Sequence, residues 1–512
     1  MKKFSPCFCA LVLLALCSSL SWAQNSDASV SGVAVRVTPE VATVNSSEAV
    51  QFTALVKNTP RVAVTWTASQ GTISSSGLYR APQVASDTVI RVTATSVADP
   101  AKSDAVSVVV RAPQQATAHN AISAPAGSTT IKESFFGADF NGWGVWPPTD
   151  GDKQIATLGG IRLWDDSVKW AQVETAKGVY DWSALDTWMS KAQAQKMDVL
   201  YTIGDTPKWA GSVPKGSPCG PNGSTSCAPP TDVNSDGTGS DTYFSDFITS
   251  LVTRYKGQIA YYELWNEPDC TCFWSGTQAQ LVRMGKDAAA IIRSIDKNAK
   301  ILSPSAHGPT MATWFDGYIA AGGAPNFDIV NAHLRGTNST NKDPEAFLTM
   351  YDDVTAETKK RNLTSLPIWD DEHGIKKDQL TNTDELAGYV ARSLILRAGV
   401  GLQRQYVYTW DQSSPYGLQG NESGTAWDVV AGWLINHSIS ACVAKGTVYT
   451  CAVDDGQIVW DTAQSCSNSG CTSSKYTYSS TYKYETDITG KKTGLSGSTV
   501  NIGYRPIFLT AK

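Results

Sequence analysis

The stretch Tyr262-Glu263-Leu264-Trp265-Asn266-Glu267-Pro268-Asp269, set beside Pro367-Ile368-Trp369-Asp370-Asp371-Glu372-His373-Gly374, decides how this chain is read. Each starts as a short aromatic and aliphatic run, the texture of a buried strand, and each ends in a carboxylate beside a turn residue. Working outward, similar runs recur at 135–140, 160–164, 198–203, 259–265, 300–305, 327–333, 366–371 and 405–410. Amphipathic segments at 182–196, 243–255, 278–295, 344–361 and 383–398 separate most of them, and 425–438 supplies a last helix. Strands alternating with helices build a parallel sheet. Eight such units over roughly three hundred residues are the size of a (β/α)8 barrel.

In that barrel, reacting groups collect at the C-terminal ends of the strands. Glu267 and Glu372 therefore emerge at one rim from the fourth and seventh strands. A retaining glycosidase needs such a pair, about 5–5.5 Å apart: one carboxylic acid protonates the leaving oxygen while the other, ionised, attacks the anomeric carbon. Asn-Glu-Pro alone also suits the first turn of a helix, where Pro is common. Its place at a strand end, with a matching Glu three strands later, favours the catalytic reading. Strand alternation puts Glu263 on the same side as Glu267, as a structural group inside the barrel. It also gives Asp370 the parity of Glu372, though deeper, and turns Asp371 toward the helices.

The bulk properties fit this reading. The 512 residues exceed one ordinary domain, 42% are hydrophobic and 17% charged, and the net charge of -5 offers no polyanion a partner surface. Nothing in that charge points to nucleic acid as a partner, and none is expected. Met1-Lys2-Lys3, an apolar run to Leu20 and Ser21-Trp22-Ala23 form a leader for export, residues 1–23, so a secreted or periplasmic location is expected. No other stretch is long and apolar enough to span a membrane. The Cys residues beyond the leader are even in number, which in an exported protein means disulfides. Natural pairs are Cys219–Cys227, Cys442–Cys451 and Cys466–Cys471, whereas Cys270 and Cys272 are close enough that a direct bridge would be strained.

Residues 30–112 carry short β-branched runs at 33–37, 49–56, 62–68, 88–95 and 105–110, punctuated by Gly, Ser, Asn and Pro. With Trp66-Thr67-Ala68, Gly71-Thr72-Ile73, Gly77-Leu78-Tyr79 and Ala81-Pro82, this segment resembles bacterial Ig-like domains of the second group. That resemblance implies an all-β sandwich serving as a spacer, or a contact to a cell surface or wall. Residues 113–128, rich in Ala, Gln, Pro and Ser, are a linker; 129–440 is the catalytic barrel; 441–512 alternates Thr, Val, Tyr and Ile with Gly and Ser turns, a small β-domain packed on the barrel. The fold class is thus α/β, a (β/α)8 TIM barrel with a small C-terminal β-domain and an N-terminal all-β Ig-like sandwich.

The Leu264-Trp265-Asn266-Glu267-Pro268-Asp269 neighbourhood, the glutamate ending strand seven and Gly160-Ile161-Arg162-Leu163-Trp164-Asp165 on strand two resemble clan A of the glycoside hydrolases. The pattern is most similar to family 39 and its relatives, with family 5 next. The resemblance implies Glu267 as acid/base, Glu372 as nucleophile and Asn266 on the sugar's 2-hydroxyl. It implies Arg162 beside the nucleophile and Trp410 as a platform under the sugar. His333 and His307 are candidate substrate contacts at strand ends, and Trp209 either stacks on sugar or packs its loop. Many clan members carry Tyr two residues after the strand-six His; here Arg335 stands there. No cofactor and no metal are expected. The strand-one HxH of metal-dependent barrel hydrolases is missing, Asp139-Phe140-Asn141 standing there. Asp232-Val233-Asn234-Ser235-Asp236-Gly237 begins like a calcium loop but has Tyr243 where such a loop needs Glu. The expected partner is a β-linked polysaccharide or oligosaccharide. A transglycosylase with the same residues and a non-catalytic carbohydrate-binding or adhesion protein on a barrel scaffold are the alternatives.

Overall fold

The structure, a computed structural model, describes residues 32–39, 41–45, 49–85, 88–111, 130–140, 157–212, 226–335, 343–376, 379–410, 417–418, 421–467 and 470–512. The chain divides into two compact units, 1–115 and 116–512. In the first, Val41–Asn45, Ser103–Arg111, Thr88–Ser96 and Val64–Ala68 form a four-stranded sheet. Ala34–Thr38 pairs antiparallel with Thr53–Lys57, and Leu78–Arg80 lies between Ala49–Gln51 and Thr72–Ile73. Alternation buries Ile90, Val92 and Ala94 on one strand and Val106, Val108 and Val110 on its neighbour, around Phe52 and Tyr79. This all-β core holds without any cysteine.

Among the described residues of the second unit, a short piece, Ala306–His307, pairs with the sixth of eight longer parallel strands that alternate with helices. They are β1 (Phe136–Asp139), β2 (Gly160–Leu163), β3 (Asp198–Thr202), β4 (Tyr261–Glu263), β5 (Lys300–Leu302), β6 (Val330–His333), β7 (Ile368–His373) and β8 (Arg404–Val407). β1 pairs with β2 and with β8, so the sheet runs both ways from it. Leu302 at the end of β5 bridges in parallel to Ile329 just before β6, joining the two ends. This is a TIM-like barrel. Among the described residues, beyond the single turn Trp170–Val173, seven helices follow β2 to β8: α1 (Ser183–Ala194), α2 (Thr242–Arg254), α3 (Gln278–Ile295), α4 (Met311–Ala320), α5 (Phe347–Lys360), α6 (Thr383–Gly399) and α7 (Glu422–Leu434). The start of α3 is fixed by a capping box, with Thr277 accepting from the Gln280 amide and Gln280 reaching back. No described helix is long and apolar enough to cross a membrane.

The barrel interior is layered. Leu200, Leu302, Ile329, Trp369 and Tyr406 fill its lower part. Gly137 belongs there because a Cβ would sit 2.3 Å from the Tyr406 ring. Above this apolar layer the interior turns polar, and that change places the site. At the C-terminal end of the chain, Val443–Lys445, Val448–Val453, Gly456–Asp461, Ile507–Thr510, Tyr484–Asp487 and Lys492–Gly494 form a six-stranded sheet. It packs on the barrel through Trp433 against Phe508 and through Trp460, whose indole donates to Glu345 at 2.8 Å. Thr130 and Ile131 bridge to Ser438 and Ile435.

Cys442–Cys451 and Cys466–Cys471 are bridged as the spacing suggests. Cys227 is also disulfide-bonded, and Cys219 lies outside the described residues. The expectation against a direct Cys270–Cys272 bridge is corrected: the two are joined. The turn after Pro268 sets their Cα atoms 5.1 Å apart, inside the normal range for a bridge.

Candidate active site

Strand parity carries the buried polar layer toward the mouth, with one irregularity that matters. Between β7 and β8 the register shifts: Asp370 pairs with Gln405, yet His373 pairs with Val407, so β7 holds one extra residue. Such a bulge re-aims the side chains after it. The expectation that Asp370 shares the parity of Glu372 while Asp371 faces the helices is therefore overturned. Asp370 points outward, its Oδ2 accepting from Arg397 of α6 at 2.7 Å. Asp371 points inward, 3.1 Å from Arg162 and 3.2 Å from His333. Glu372 follows it into the mouth.

Arg162 on β2 is the hub. Its Nη1 donates to Glu372 Oε2 at 2.8 Å and to Asp139 Oδ1 at 3.1 Å. Nη2 donates to Glu263 Oε2 at 2.9 Å and Asn266 Oδ1 at 2.7 Å. Thr202 also donates to Glu263, and the Ser305 hydroxyl bonds its other oxygen, so Glu263 is held from several sides as the structural group expected. Burial raises the Glu263 carboxyl to about 7, and raises Asp139 well above its usual range, against the pull of Arg162. Burial also acts to raise Asp371, but Arg162 and His333 outweigh it and hold that carboxyl well below its usual range.

His333, fully buried at the end of β6, links the two glutamates. Its Nδ1 lies 2.7 Å from Glu267 Oε1 and 3.9 Å from Glu372 Oε2, while Nε2 faces Asp371. Burial works against its charge, but the hydrogen bonds to Asp371 and Glu267 win and raise it to about 9. Glu267 responds in the opposite direction. Burial pushes its carboxyl up, yet the His333 hydrogen bond and the charges of His333, Arg335 and His307 bring it down to about 2. His307 is half-buried, its Nδ1 3.1 Å from Asp269 and 4.0 Å from Glu267 Oε2, and the Asp269 bond leads in raising its pKa. Arg335 contacts Glu372 Oε1 and lies 3.9 Å from Glu267 Oε1, its guanidinium 5.7 Å from the Tyr408 ring. Tyr408 in turn donates to Asp165 at 2.6 Å. The backbone at the end of β4 is strained to deliver this arrangement, with Trp265 at φ 135 and Glu267 at φ 39.

A carboxylate oxygen of Glu267 and one of Glu372 lie within 4.8 Å of each other, with a His333 nitrogen equally near. The triads Glu267, His333, Glu372 and Glu263, His333, Asp371 have the spacing of metal ligands. Arg162 and Arg335 already bring positive charge to the same carboxylates, which weakens the case for an ion.

The sequence-derived candidates separate here. Arg162, Asn266, Glu267, His307, His333 and Glu372 converge. Trp410 is not an open platform: it is fully buried, its ring 6.5 Å from Trp427 of α7 in an edge arrangement. Trp209 packs its loop, edge-on to Trp170 and Tyr243, with its indole donating to the Glu174 carbonyl at 3.0 Å. The sequence gives Asp139 and Asp269 no role and turns Asp371 toward the helices. Acidic residues within otherwise apolar strands were their signal. The loop from Asp232 is occupied by its own turns, Asp232 accepting from the Thr242 and Tyr243 amides and Arg283 donating to the Gly237 and Gly239 carbonyls.

Residues 169–362 match the family model for cellulase, glycosyl hydrolase family 5. The matched segment contains Glu267, His307, His333 and Arg335. The chain is a glycosidase. Family 5 is a clan A family, in agreement with the clan indicated by the two strand ends. Solved structures with a similar chain trace include a glucosidase from Croceicoccus marinus, at 14% identity over 76% of this chain and 97% of that one, TM-score 0.47. Others are a family 30 endoxylanase from Clostridium papyrosolvens, at 14% identity over 75% and 97%, TM-score 0.47, and a family 30 subfamily 8 xylanase from Clostridium acetobutylicum, at 16% identity over 75% and 96%, TM-score 0.49. No curated protein matches the sequence.

Proposed function

We propose that the chain is a secreted, retaining glycoside hydrolase that cleaves β-glycosidic bonds of a polysaccharide or oligosaccharide by double displacement. Its clan A pattern is nearest to family 39 and relatives, and its first unit is an Ig-like spacer. The observation that carries the mechanism is the approach of the two carboxylates. Oxygens within 4.8 Å leave no room for the water that an inverting enzyme holds between groups about 6.5–9.5 Å apart. Glu372 is the nucleophile. Arg162 holds Oε2 from below, fixing the carboxylate and favouring its anion. Oε1 attacks the anomeric carbon, the glycosidic C–O bond breaks, and the leaving oxygen takes a proton from Glu267. Water then attacks the same carbon, gives its proton to Glu267 and releases Glu372 as a carboxylate. Asn266 and His307 bind the sugar.

The direction of the Glu267 shift changes how the acid works. Repulsion from Glu372 should raise its pKa, but three partners, His333, Arg335 and His307, reverse this. Glu267 and His333 titrate as one pair holding a single proton between about 2 and about 9, resting on His333. The proton available to the leaving group belongs to that pair, and the basic limb of the pH profile belongs to it too. Proton NMR of the first product formed from a β-linked xylo-, gluco- or manno-oligosaccharide tests the mechanism. The β-anomer is expected before mutarotation; first appearance of the α-anomer would contradict double displacement.

A further inference from the structure

Glu372 is gripped by two guanidinium groups, one on each oxygen. Arg162 takes Oε2 from inside the barrel, and Arg335 takes Oε1 from the rim. With Oε2 held by Arg162, Oε1 is the attacking oxygen of the reading above, and the Arg335 contact covers it. Arg335 is also the less anchored of the two. Its side chain is 27% exposed, its Nε has no hydrogen-bond partner, and its guanidinium lies over the Tyr408 ring, a surface along which it can slide. The same Nη2 that meets Glu372 is 3.9 Å from Glu267 Oε1. A side-chain rotation of about 1 Å would turn that approach into a charge-assisted hydrogen bond of about 2.8 Å.

We infer that Arg335 is a positioning residue that alternates between Glu372 and Glu267 in step with the two half-reactions, an inference that rests on the double-displacement reading above. The charges make this alternation favourable. In the free enzyme Glu372 is an anion and Arg335 pairs with it. When Oε1 forms its bond to the anomeric carbon, the carboxylate becomes a neutral ester and Arg335 loses its partner. In the same step Glu267 gives a proton to the departing oxygen. The nearest anion to Arg335 is then Glu267, whose other neighbours are His333 at 2.7 Å, His307 at 4.0 Å, with Asp269 behind it, and the Ser305 hydroxyl on its backbone amide. Pairing with Arg335 keeps Glu267 ionised and aimed as the base that takes a proton from the attacking water. When water's oxygen bonds to carbon and the ester C–O bond breaks, the Glu267–His333 pair takes up water's proton through Glu267, Glu372 is again an anion, and Arg335 returns.

The consequence is asymmetric between the steps. Arg162 still holds the nucleophile when Arg335 is removed, so the first step on a substrate that leaves readily suffers little. The second step loses the charge that keeps its base ionised. Glu267 then takes up protons at higher pH in the intermediate, and the acid limb of the second step moves upward. The test uses the full chain with the member of a panel of 2,4-dinitrophenyl β-xylobioside, β-cellobioside and β-mannobioside that the wild type cleaves. Stopped-flow release of dinitrophenolate separates the steps. For Arg335→Gln we expect the first step within about threefold of wild type and the second slowed at least about tenfold, producing a burst. The acid limb of the second step should rise by about one pH unit, Arg335→Lys should restore most of the rate, and azide, which needs no base, should relieve the slow step. Arg335→Tyr, neutral and bulky enough to keep the site filled, should repeat the Gln result and decides the question if the Gln variant does not fold. Equal loss in both steps, an unmoved acid limb or a Lys variant no better than Gln would overturn the proposal. Failure of the underlying mechanism reads differently: a 2-deoxy-2-fluoro glycoside would then leave no covalent adduct on Glu372 in the wild type.

Discussion

The floor and the rim of the mouth hold the same carboxylate in opposite ways. On the floor, Arg162 is fully buried and bonded to Glu372, Asp139, Glu263, Asn266 and Asp371, so its guanidinium has one position. On the rim, Arg335 touches Glu372 with water on one side and aromatic carbon on another. The energetics differ accordingly. Removing one partner of a buried ion pair costs about 3–5 kcal/mol because the others are left uncompensated. A partly exposed pair is worth about 0–1 kcal/mol. The floor fixes where chemistry occurs, and the rim can change partners while it occurs.

The floor gives the largest expected effect. Arg162→Met should strand three or more buried carboxyl groups, lowering stability by about 3–5 kcal/mol with activity lost alongside. Chemical denaturation of the variant measures this, and near wild-type stability would show that the buried charges are not coupled through Arg162. Glu267→Ala comes next. It should slow an unactivated oligosaccharide by about 100- to 10,000-fold, the usual reach of acid catalysis, while sparing the first step on a dinitrophenyl glycoside. Equal loss on both substrates would remove Glu267 from the acid's role.

His333→Asn sharpens the contrast through pH. His333 is raised to about 9, so its contribution to stability is complete below its unfolded value of about 6.5 and is lost as pH rises toward 9. Glu267 is lowered to about 2, so its contribution is complete above about 4.3 and is lost as pH falls toward 2. The pair therefore stabilises most between about pH 4.3 and 6.5. The wild type should lose ~3 kcal/mol between pH 6.5 and 9 from this source, and His333→Asn should flatten that slope. Melting curves across pH decide it: parallel slopes in the two proteins would mean that His333 is not charged in the folded state.

The sequence made the barrel legible because its strands are short apolar runs and most of its helices carry a clear stripe. Helix α4 escaped notice because Met311-Ala312-Thr313-Trp314-Phe315-Asp316-Gly317-Tyr318-Ile319-Ala320 is apolar almost all round, with Gly inside, and shows no stripe. The two glutamates were legible from their strand ends. The orientation of Asp370 and Asp371 was not, because alternation counts residues and the β7 bulge adds one. Trp410 ends β8 as a platform would, but whether an aromatic faces ligand or packs inward depends on a distant residue, here Trp427. The direction of the Glu267 shift was likewise hidden, since it is a sum over partners from two other strand ends, those of β5 and β6, and only the fold brings them together.

The smallest effect is expected from the first unit. Residues 116–512 form a compact unit with their own core, so the chain lacking 1–115 should keep its rate on a soluble substrate within about twofold. A large fall without loss of folding, seen by circular dichroism, would give that region a part in the mouth.

The central claim, that Glu372 attacks the anomeric carbon, is tested most directly by Glu372→Gly with sodium azide and a dinitrophenyl β-glycoside. Removing the carboxylate should abolish turnover and leave space beside Arg162 for a small anion. Azide should restore the rate in a concentration-dependent way and yield the α-glycosyl azide, the product of one displacement on the face that Glu372 occupied. No rescue, or a β-glycosyl azide, would contradict the assignment of the nucleophile.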